Sequence, residues 1–356
     1  MDGDHAVNNA LITNSYDNQP IDIPTSASFF DSAKHIDFIE IAEDGCAILG
    51  KSNLNSRYWT GSLWYYMDVN DAPQEDKYLT GYDCKAGISD GKILLEVLQS
   101  IIIGKDSGEV SILCLTESEK EHEFLFRPEA SAFEHDDMVL SLAVSADKSV
   151  AVSASSDCSI IKWQTERLEV EHHYKYAHTQ SVTSVSTSLE DSCNVCASCS
   201  LDGSAIMWDF RQPKPASVIL DDTSSSLTAI SWKSSNELMI GTNWGSIKCS
   251  DIRNKQITST PCFDRAIHRI LPSNDGQFVA VSGDTHTLKV FDLNASEPIT
   301  VYEDSRHEDF IHGLAWHPKT QNLYSAGWDS KVFCHTKKDI ITKGKKTTDS
   351  VDPAGR

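Results

Sequence analysis

Short stretches in which apolar and polar residues alternate recur along the chain. Three of them follow one another closely: SVTSVST from Ser181, NVCASCS from Asn194 and SAIMWD from Ser204. Alternation with a period of two places successive side chains on opposite faces and is typical of a β-strand. The longest apolar run, ILLEVLQSIIIG from Ile93, is interrupted by Glu96 and Gln99 and indicates buried strands, because a membrane helix needs about 20 apolar residues. The pattern predicts an all-β protein with many short strands.

The strands belong to a repeating unit, which is clearest between residues 177 and 209. It begins with Ala177-His178, passes through a Leu-Asp-Gly turn that contains Asp202, and ends with Trp208-Asp209. This sequence resembles the signature of a WD repeat, a unit of about 40 residues that forms one four-stranded propeller blade.

Weaker copies of the unit fill the rest of the chain. An upstream copy contains His135, Asp157 and Trp163, and a copy near the C-terminal end contains His307 and Asp329 at the same histidine-to-aspartate interval. Seven equivalent positions, roughly 40 to 50 residues apart as in propeller repeats, are Tyr65, Cys114, Gln164, Asp209, Asp251, Asp292 and Thr336. The predicted fold is therefore an all-β, seven-bladed WD-repeat β-propeller.

The propeller is predicted to span residues 31–342, although a length of 356 residues alone would suggest two domains. Radial stacking of blades that cannot bury both faces alone produces one continuous core. Residues 1–30 are polar and asparagine-rich, and we expect a partly disordered extension that can also supply one strand to close the propeller. Residues 343–356 are expected to form a disordered basic and polar tail.

The chain is strongly acidic, with 52 Asp and Glu against 31 Lys and Arg and a net charge of −21. This charge repels nucleic acids and anionic membranes, so we expect no direct binding to either. A basic partner is the natural complement. The N-terminus lacks the basic and apolar regions of a secretory signal, and we therefore expect a cytoplasmic and nuclear location.

Three cysteines, Cys193, Cys196 and Cys199, have a spacing similar to that of a metal or iron–sulfur site. Their surroundings are typical of a strand, in which Cys193 and Cys196 would point to opposite faces. We therefore predict that these cysteines are structural, and we expect no metal.

The histidine, aspartate, serine and tryptophan of the repeats resemble a catalytic set, but a set that recurs in several repeats is architectural. In WD repeats the turn aspartate accepts a hydrogen bond from the entry histidine, and the network continues through a strand serine to the tryptophan. The predicted members are His178, Asp202, Ser198 and Trp208, then His135, Asp157 and Trp163, then His307 and Asp329. We predict no catalytic residue and no cofactor; an enzymatic propeller with carboxylates at its central channel is the alternative.

Three stretches resemble the WD-repeat subunit of the methylosome. They are SNLNSRYWTGSLWYYMD (52–68), WDFRQPKPAS (208–217) and RHEDFIHGLAWHP followed by SAGWDSKV (306–332), and the resemblance runs over roughly residues 35–336. It implies a non-catalytic subunit that binds the TIM-barrel domain of a type II protein arginine methyltransferase. It also implies a hetero-octamer of four and four, which presents histones and Sm proteins for symmetric dimethylation of their arginines.

The predicted partner-binding residues lie in a loop from Ser52 to Trp59 at the propeller surface. By the resemblance, Arg57 and Trp59 contact the methyltransferase. In the alternative, Trp59 begins an inner strand and is part of the core, as Trp64 is predicted to be. The full predicted set is Asn53, Leu54, Asn55, Ser56, Arg57 and Trp59.

A second function class uses the same fold. Residues 208–211 read Trp-Asp-Phe-Arg, which matches the WDxR motif of propellers that act as substrate receptors of cullin-type ubiquitin ligases. The motif is short and arises readily where a WD repeat ends. A pulldown that identifies the bound partner distinguishes the two functions.

Overall fold

The computed structural model describes residues 35–55, 58–95, 100–118, 123–189, 194–254, 256–293 and 299–342. Within them the chain forms seven antiparallel sheets, six with four strands and one with three. The sheets follow one another along the chain, and their innermost strands contact each other in a closed ring. The predicted seven-bladed β-propeller is confirmed. The predicted terminal extension (1–30) and tail (343–356) lie outside the described residues.

Within each blade the strands are neighbours in chain order, and the first strand is the innermost. Blade A contains β1 (His35–Ile41), β2 (Ala47–Asn55), β3 (Tyr58–Tyr66) and β4 (Thr80–Cys84), with a 3-10 turn at Val69–Asp71. Blade B contains β5 (Ile88–Leu95), β6 (Ser100–Lys105), β7 (Glu109–Glu117) and β8 (Phe124–Phe133). Blade C contains β9 (Val139–Val144), β10 (Val150–Ser155), β11 (Ile160–Gln164) and β12 (Glu169–Tyr174).

The remaining blades repeat this order. Blade D contains β13 (Val182–Thr187), β14 (Val195–Ser200), β15 (Ser204–Asp209) and β16 (Pro215–Asp221). Blade E contains β17 (Leu227–Ser234), β18 (Glu237–Thr242), β19 (Ser246–Asp251) and β20 (Gln256–Pro261). Blade F contains β21 (Ile267–Pro272), β22 (Phe278–Gly283), β23 (Leu288–Asp292) and β24 (Ile299–Asp304). Blade G contains β25 (Ile311–Trp316), β26 (Leu323–Gly327) and β27 (Val332–His335), and residues 337–342 are helical.

The ring closes between the first and last blades, because β1 contacts β5 of blade B on one side and β25 of blade G on the other. Blade G has three strands among the described residues. A fourth strand from the N-terminal extension would fall outside them, so that expectation stays a prediction.

The core consists of apolar layers between adjacent blades. Six such layers are described, and each combines buried side chains from two neighbouring sheets. Between blades A and B, for example, Phe38 packs with Ile103 and Leu113. Gly50 lies under the Phe38 ring, where a Cβ atom would come within 1.9 Å of a ring carbon, so a larger residue does not fit. Burial between sheets explains why so many short strands read as apolar.

The two described cysteines of the trio face different layers. Cys196 packs between blades C and D, whereas Cys199 packs between blades D and E, and both are fully buried. Cys193 lies outside the described residues. Because opposite faces of β14 hold Cys196 and Cys199, these two thiols cannot share one metal ion.

Candidate protein-interaction site

Blade A differs from the other blades in the length of its central hairpin. β2 and β3 pair from Ala47 with Tyr66 to Asn55 with Tyr58. β1 pairs with β2 only up to Ser52, and β4 pairs with β3 only from Gly61 onward. Beyond these points the pairs Asn53–Thr60, Leu54–Trp59 and Asn55–Tyr58 have no third strand beside them among the described residues. The tip of the β2–β3 hairpin therefore projects beyond its blade.

The loop predicted from Ser52 to Trp59 is mostly strand, and that prediction is wrong in its extent. β2 continues through Asn55 and β3 begins at Tyr58, so the connection is limited to residues 56–57. A two-residue connection suffices for a tight hairpin, and the backbones continue to pair after the flanking strands end. Ser56 and Arg57 lie outside the described residues, and the backbone of Trp59 belongs to β3, the third strand of the blade.

The hairpin tip lies at the same end of the propeller as the aspartate turns of the repeats. In every blade this end holds the connection between the second and third strands, and we call it the turn face. Asp157, Asp202 and Asp329 all occupy such connections, between β10 and β11, β14 and β15, and β26 and β27. The second strands of blades B to G contain five or six residues each, against nine in β2, so the blade A hairpin extends furthest in strand pairing at this face.

Blade D brings together all four residues predicted for its network. The Nδ1 atom of His178 lies 3.2 Å from Asp202 Oδ2, and its Nε2 atom lies 2.7 Å from the hydroxyl of Ser198. The indole N–H of Trp208 donates to the same hydroxyl at 2.8 Å. The histidine and serine are buried, and Ser198 is fully so. A hydroxyl that is buried and bonded on both sides is structural and is not placed to attack a substrate.

The electrostatics of blade D fit a network that is fixed at neutral pH. Burial alone would raise the pKa of Asp202, but hydrogen bonds from Ser204 and Thr179, and the charge of His178 at pH values where that ring is protonated, lower it to about 2. Burial lowers the pKa of His178 despite the neighbouring carboxylate. An ionised aspartate and a neutral imidazole result, so His178 can donate through Nδ1 and accept from the serine through Nε2.

Blade C contains the same arrangement, completed by a serine that the sequence analysis did not include. The Nε2 atom of His135 lies 2.7 Å from Ser153 Oγ, and Trp163 donates to this hydroxyl at 2.8 Å. Asp157 lies 3.2 Å from the Nδ1 atom of His135. Ser153 precedes Asp157 by the interval that separates Ser198 from Asp202, and this spacing could have identified it.

Blade G replaces the tryptophan by a histidine. His307 contacts Asp329 at 3.0 Å and Ser325 at 2.9 Å. The Nε2 atom of His335 lies 2.8 Å from the Ser325 hydroxyl, in the place of the indole N–H. On its other side His335 contacts the hydroxyl of Tyr302 at 3.0 Å, so a buried polar chain links blades G and F.

The arginine of the WDxR motif is engaged within the motif itself. Arg211 donates from Nε and Nη2 to the two carboxylate oxygens of Asp209, at 2.8 and 2.9 Å. Its side chain is 60% exposed. A guanidinium already paired in this bidentate way has fewer donors left for a partner.

No helix among the described residues is long and apolar enough to cross a membrane. In the same residues, no group of three or more His, Cys, Asp or Glu side chains is placed to hold a metal ion.

Comparison with known proteins gives matches of two kinds. The family model described as WD domain, G-beta repeat matches residues 127–164, 170–209 and 296–335, which end in blades C, D and G, the three blades with a histidine network. The nuclear distribution protein PAC1 of Arthroderma benhamiae is 29% identical over 200 residues, covering 53% of this chain and 43% of that protein. Methylosome protein WDR77 of Xenopus laevis is 30% identical over 307 residues, covering 83% of this chain and 88% of that protein. This propeller therefore belongs to the family of WD-repeat methylosome proteins.

Proposed function

We propose that this protein is the scaffold subunit of an arginine methyltransferase complex and that it binds the enzyme through the tip of the β2–β3 hairpin. The observation that carries the proposal is the hairpin itself, which projects beyond blade A at residues 53–55 and 58–60. These residues belong to the segment that, by the methylosome resemblance, is implied to contact the enzyme. The similarity to a methylosome protein along most of the chain supports the same conclusion.

The composition of the hairpin tip suits a binding site. Tryptophan and arginine are enriched among residues that dominate protein interfaces, because a flat ring fills a pocket and a guanidinium makes several directed bonds. Arg57 and Trp59 bring both types to the tip. The partner is the TIM-barrel domain of a type II arginine methyltransferase, in an assembly of four copies of each chain.

The charge of the chain suits the substrates of such an enzyme. A net charge of −21 attracts arginine-rich proteins such as histones and Sm proteins and raises their rate of encounter with the complex. In this assignment the propeller has no catalytic role, and it works in both cytoplasm and nucleus.

The test is Trp59→Ala, with co-purification of the methyltransferase as the measurement. We expect a loss of about 2–4 kcal/mol of association free energy, the range of an interface hot spot. Trp244→Ala is the matched control, because Trp244 is a 66% exposed tryptophan on the turn face of blade E. This control should bind the enzyme like the unmodified protein.

A second variant distinguishes a loss of binding from a loss of folding. Replacement of residues 54–59 by Asn-Gly joins Asn53 to Thr60 through a tight turn and removes only pairs that no third strand accompanies. Circular dichroism should show that this variant is a folded propeller. Co-purification should show that it no longer retains the enzyme. Wild-type retention by both variants contradicts the proposed interface, and recovery of a ubiquitin-ligase adaptor without any methyltransferase contradicts the proposed function.

A further inference from the structure

The central channel opens into a cavity at the turn face. The cavity has a volume of about 330 Å³, and the innermost strands of all seven blades contribute to its lining. The lining residues stand near the beginnings of these strands, as Asp37 does in β1, Thr228 in β17 and His312 in β25. We call this cavity the channel mouth. Its size is at the lower end of the range for small-ligand pockets and suits one side chain.

An ion pair across the channel forms the floor of the channel mouth. Arg269 of blade F donates from Nη2 to Asp90 of blade B at 3.0 Å, and Asp90 is fully buried. Beyond this pair lies a second cavity of about 240 Å³, lined among others by Lys92 and Glu40, which pair at 2.9 Å. Because the charges of both pairs cancel, the floor carries no net charge of its own.

Two polar atoms of the channel mouth are left without a hydrogen-bond partner among the described residues. They are Asp37 Oδ2 and Thr228 Oγ1, which are buried and belong to blades A and E. Ser52 lies near Asp37 and lowers its pKa, yet no hydrogen bond of normal geometry reaches Oδ2. Burial dominates and raises the pKa of Asp37 to about 6, against the effects of Ser52, Trp328 and Arg269. Buried polar groups without partners are rare and call for an explanation, which a bound water, ion or ligand can supply.

The ring of His312 lines one side of the channel mouth, and Trp328 packs behind this ring. Trp328 donates to Asp37 Oδ1 at 3.1 Å and stacks on His312, with ring centroids 4.4 Å apart and planes 10° apart. Burial lowers the pKa of His312 to about 3, so this ring is neutral at pH 7. His268 lies on the other side of His312, with ring centroids 4.3 Å apart, and is paired with Asp284. The wall therefore offers the edge of one neutral ring beside a carboxylate.

We infer that the channel mouth binds an arginine side chain of a partner protein, with Asp37 as its counter-charge. A guanidinium has five N–H donors in one plane, so it can donate to more than one acceptor at once. A lysine ammonium is a compact charge and serves several separated acceptors less well. The inference does not depend on which enzyme binds the hairpin.

The experiment is a titration of the purified full chain with the peptide acetyl-Gly-Gly-Arg-Gly-Gly-amide, followed by calorimetry. Asp37→Asn keeps the shape of the side chain and removes its charge, and it should weaken binding about tenfold. Thr228→Val should weaken binding about threefold, because it removes one neutral acceptor. The peptide with citrulline in place of arginine has the same shape without the charge and should also bind about tenfold more weakly.

Asp136→Asn is the matched control, because Asp136 is an exposed acid outside the channel. This variant should bind the peptide like the unmodified protein. The indole N–H resonance of Trp328, assigned with Trp328→Phe, should shift on addition of the arginine peptide.

Three results would overturn the inference. They are no saturable binding by the unmodified chain, equal affinity for the arginine peptide and for the same peptide with lysine in place of arginine, or equal affinity in Asp37→Asn and Asp136→Asn. If Asp37→Asn fails to fold, the inference is overturned when Thr228→Val binds the peptide unchanged and the Trp328 resonance does not shift. The methyltransferase is absent from these titrations, so their failure leaves the hairpin proposal intact.

Discussion

Blades A and D represent two uses of the same four-stranded unit. In blade D the histidine, aspartate, serine and tryptophan of the repeat are joined in one buried network that connects the turn face to the middle of the sheet. In blade A the indole of Trp64 donates instead to Ser62 of its own strand, and the Lys51 ammonium lies 3.5 Å from the centre of the ring. Blade A also carries the projecting hairpin.

The comparison concerns where the proposed interface lies in this propeller. A blade with the full network has its turn tied to its strands. Blade A keeps the core without the network, as the 1% exposure of Trp64 shows, and its second and third strands continue beyond the rest of the sheet. Among the described residues, blades B, E and F also lack the full network, yet their connections at the turn face are short. The projecting hairpin, more than the absence of the network, therefore marks the proposed interface.

Trp208→Ala should have the largest effect on stability, a loss of about 3–5 kcal/mol in the free energy of unfolding. The substitution leaves a cavity between blades C and D and removes the donor to Ser198. Chemical denaturation followed by circular dichroism measures the change. Trp244→Ala, at an exposed position, should shift the free energy by less than about 0.5 kcal/mol. Similar values for the two variants would contradict the structural role of the network tryptophan.

Asp202→Ala should cost about 1–3 kcal/mol at pH 7, because it removes the carboxylate that accepts from the backbone N–H groups of Thr179 and Ser204 and from His178. The pKa of Asp202 is about 2 in the folded protein, below the ordinary value of about 3.9, so its contribution is complete above pH 4 and is lost as the pH falls toward 2. The variant should therefore show a shallower loss of stability in that window. A parallel pH profile for both proteins would show that the carboxylate is not coupled to folding.

A second group in blade D, His178, should also lower the stability of the protein at acidic pH. The pKa of His178 is lower in the folded protein than its ordinary value of about 6.5, so the unfolded chain takes up the proton first as the pH falls below that value. Stability should accordingly begin to decrease below about pH 6.5, before the Asp202 window is reached.

Lys51→Met should have the smallest effect and the opposite sign. Burial lowers the pKa of Lys51 to about 8, so the charged form is destabilising in the folded protein at pH 7. Methionine fills the site without a charge and should raise the free energy of unfolding by about 1 kcal/mol at pH 7. Because the ordinary lysine pKa is about 10.4, the unmodified protein should gain stability between pH 8 and 10, and the variant should not. Thermal melts at pH 7 and 9.5 give the comparison.

The sequence predicts those features that local patterns encode. Alternation and the recurring His-to-Asp interval were sufficient for the propeller and for the network of blade D, because each unit repeats the same short-range geometry. The extent of the β2–β3 hairpin was not predicted, because a polar segment such as Ser-Asn-Leu-Asn-Ser reads as a loop, and its pairing depends on the partner strand.

Contacts across the channel could not be predicted from one sequence. Asp90 and Arg269 lie 179 positions apart, and neither belongs to a repeated motif. The channel mouth likewise assembles from all seven innermost strands, so its residues become neighbours only when the ring is complete. His335 was missed for a different reason, since it replaces the tryptophan that the repeat signature leads one to look for.

The closure of the ring between β1 and β25 has a consequence for the time course of biosynthesis. The ribosome releases β1 first, whereas β25 begins 270 residues after β1 ends (311 − 41). At roughly 5–20 residues per second, the inner strand of blade A waits roughly 15–55 s for that neighbour. During this interval the apolar side of blade A that blade G later covers is open to water and to other nascent chains. Newly made chains are thus most prone to aggregate before their C-terminal blade appears, and a truncation before residue 311 leaves that side permanently uncovered.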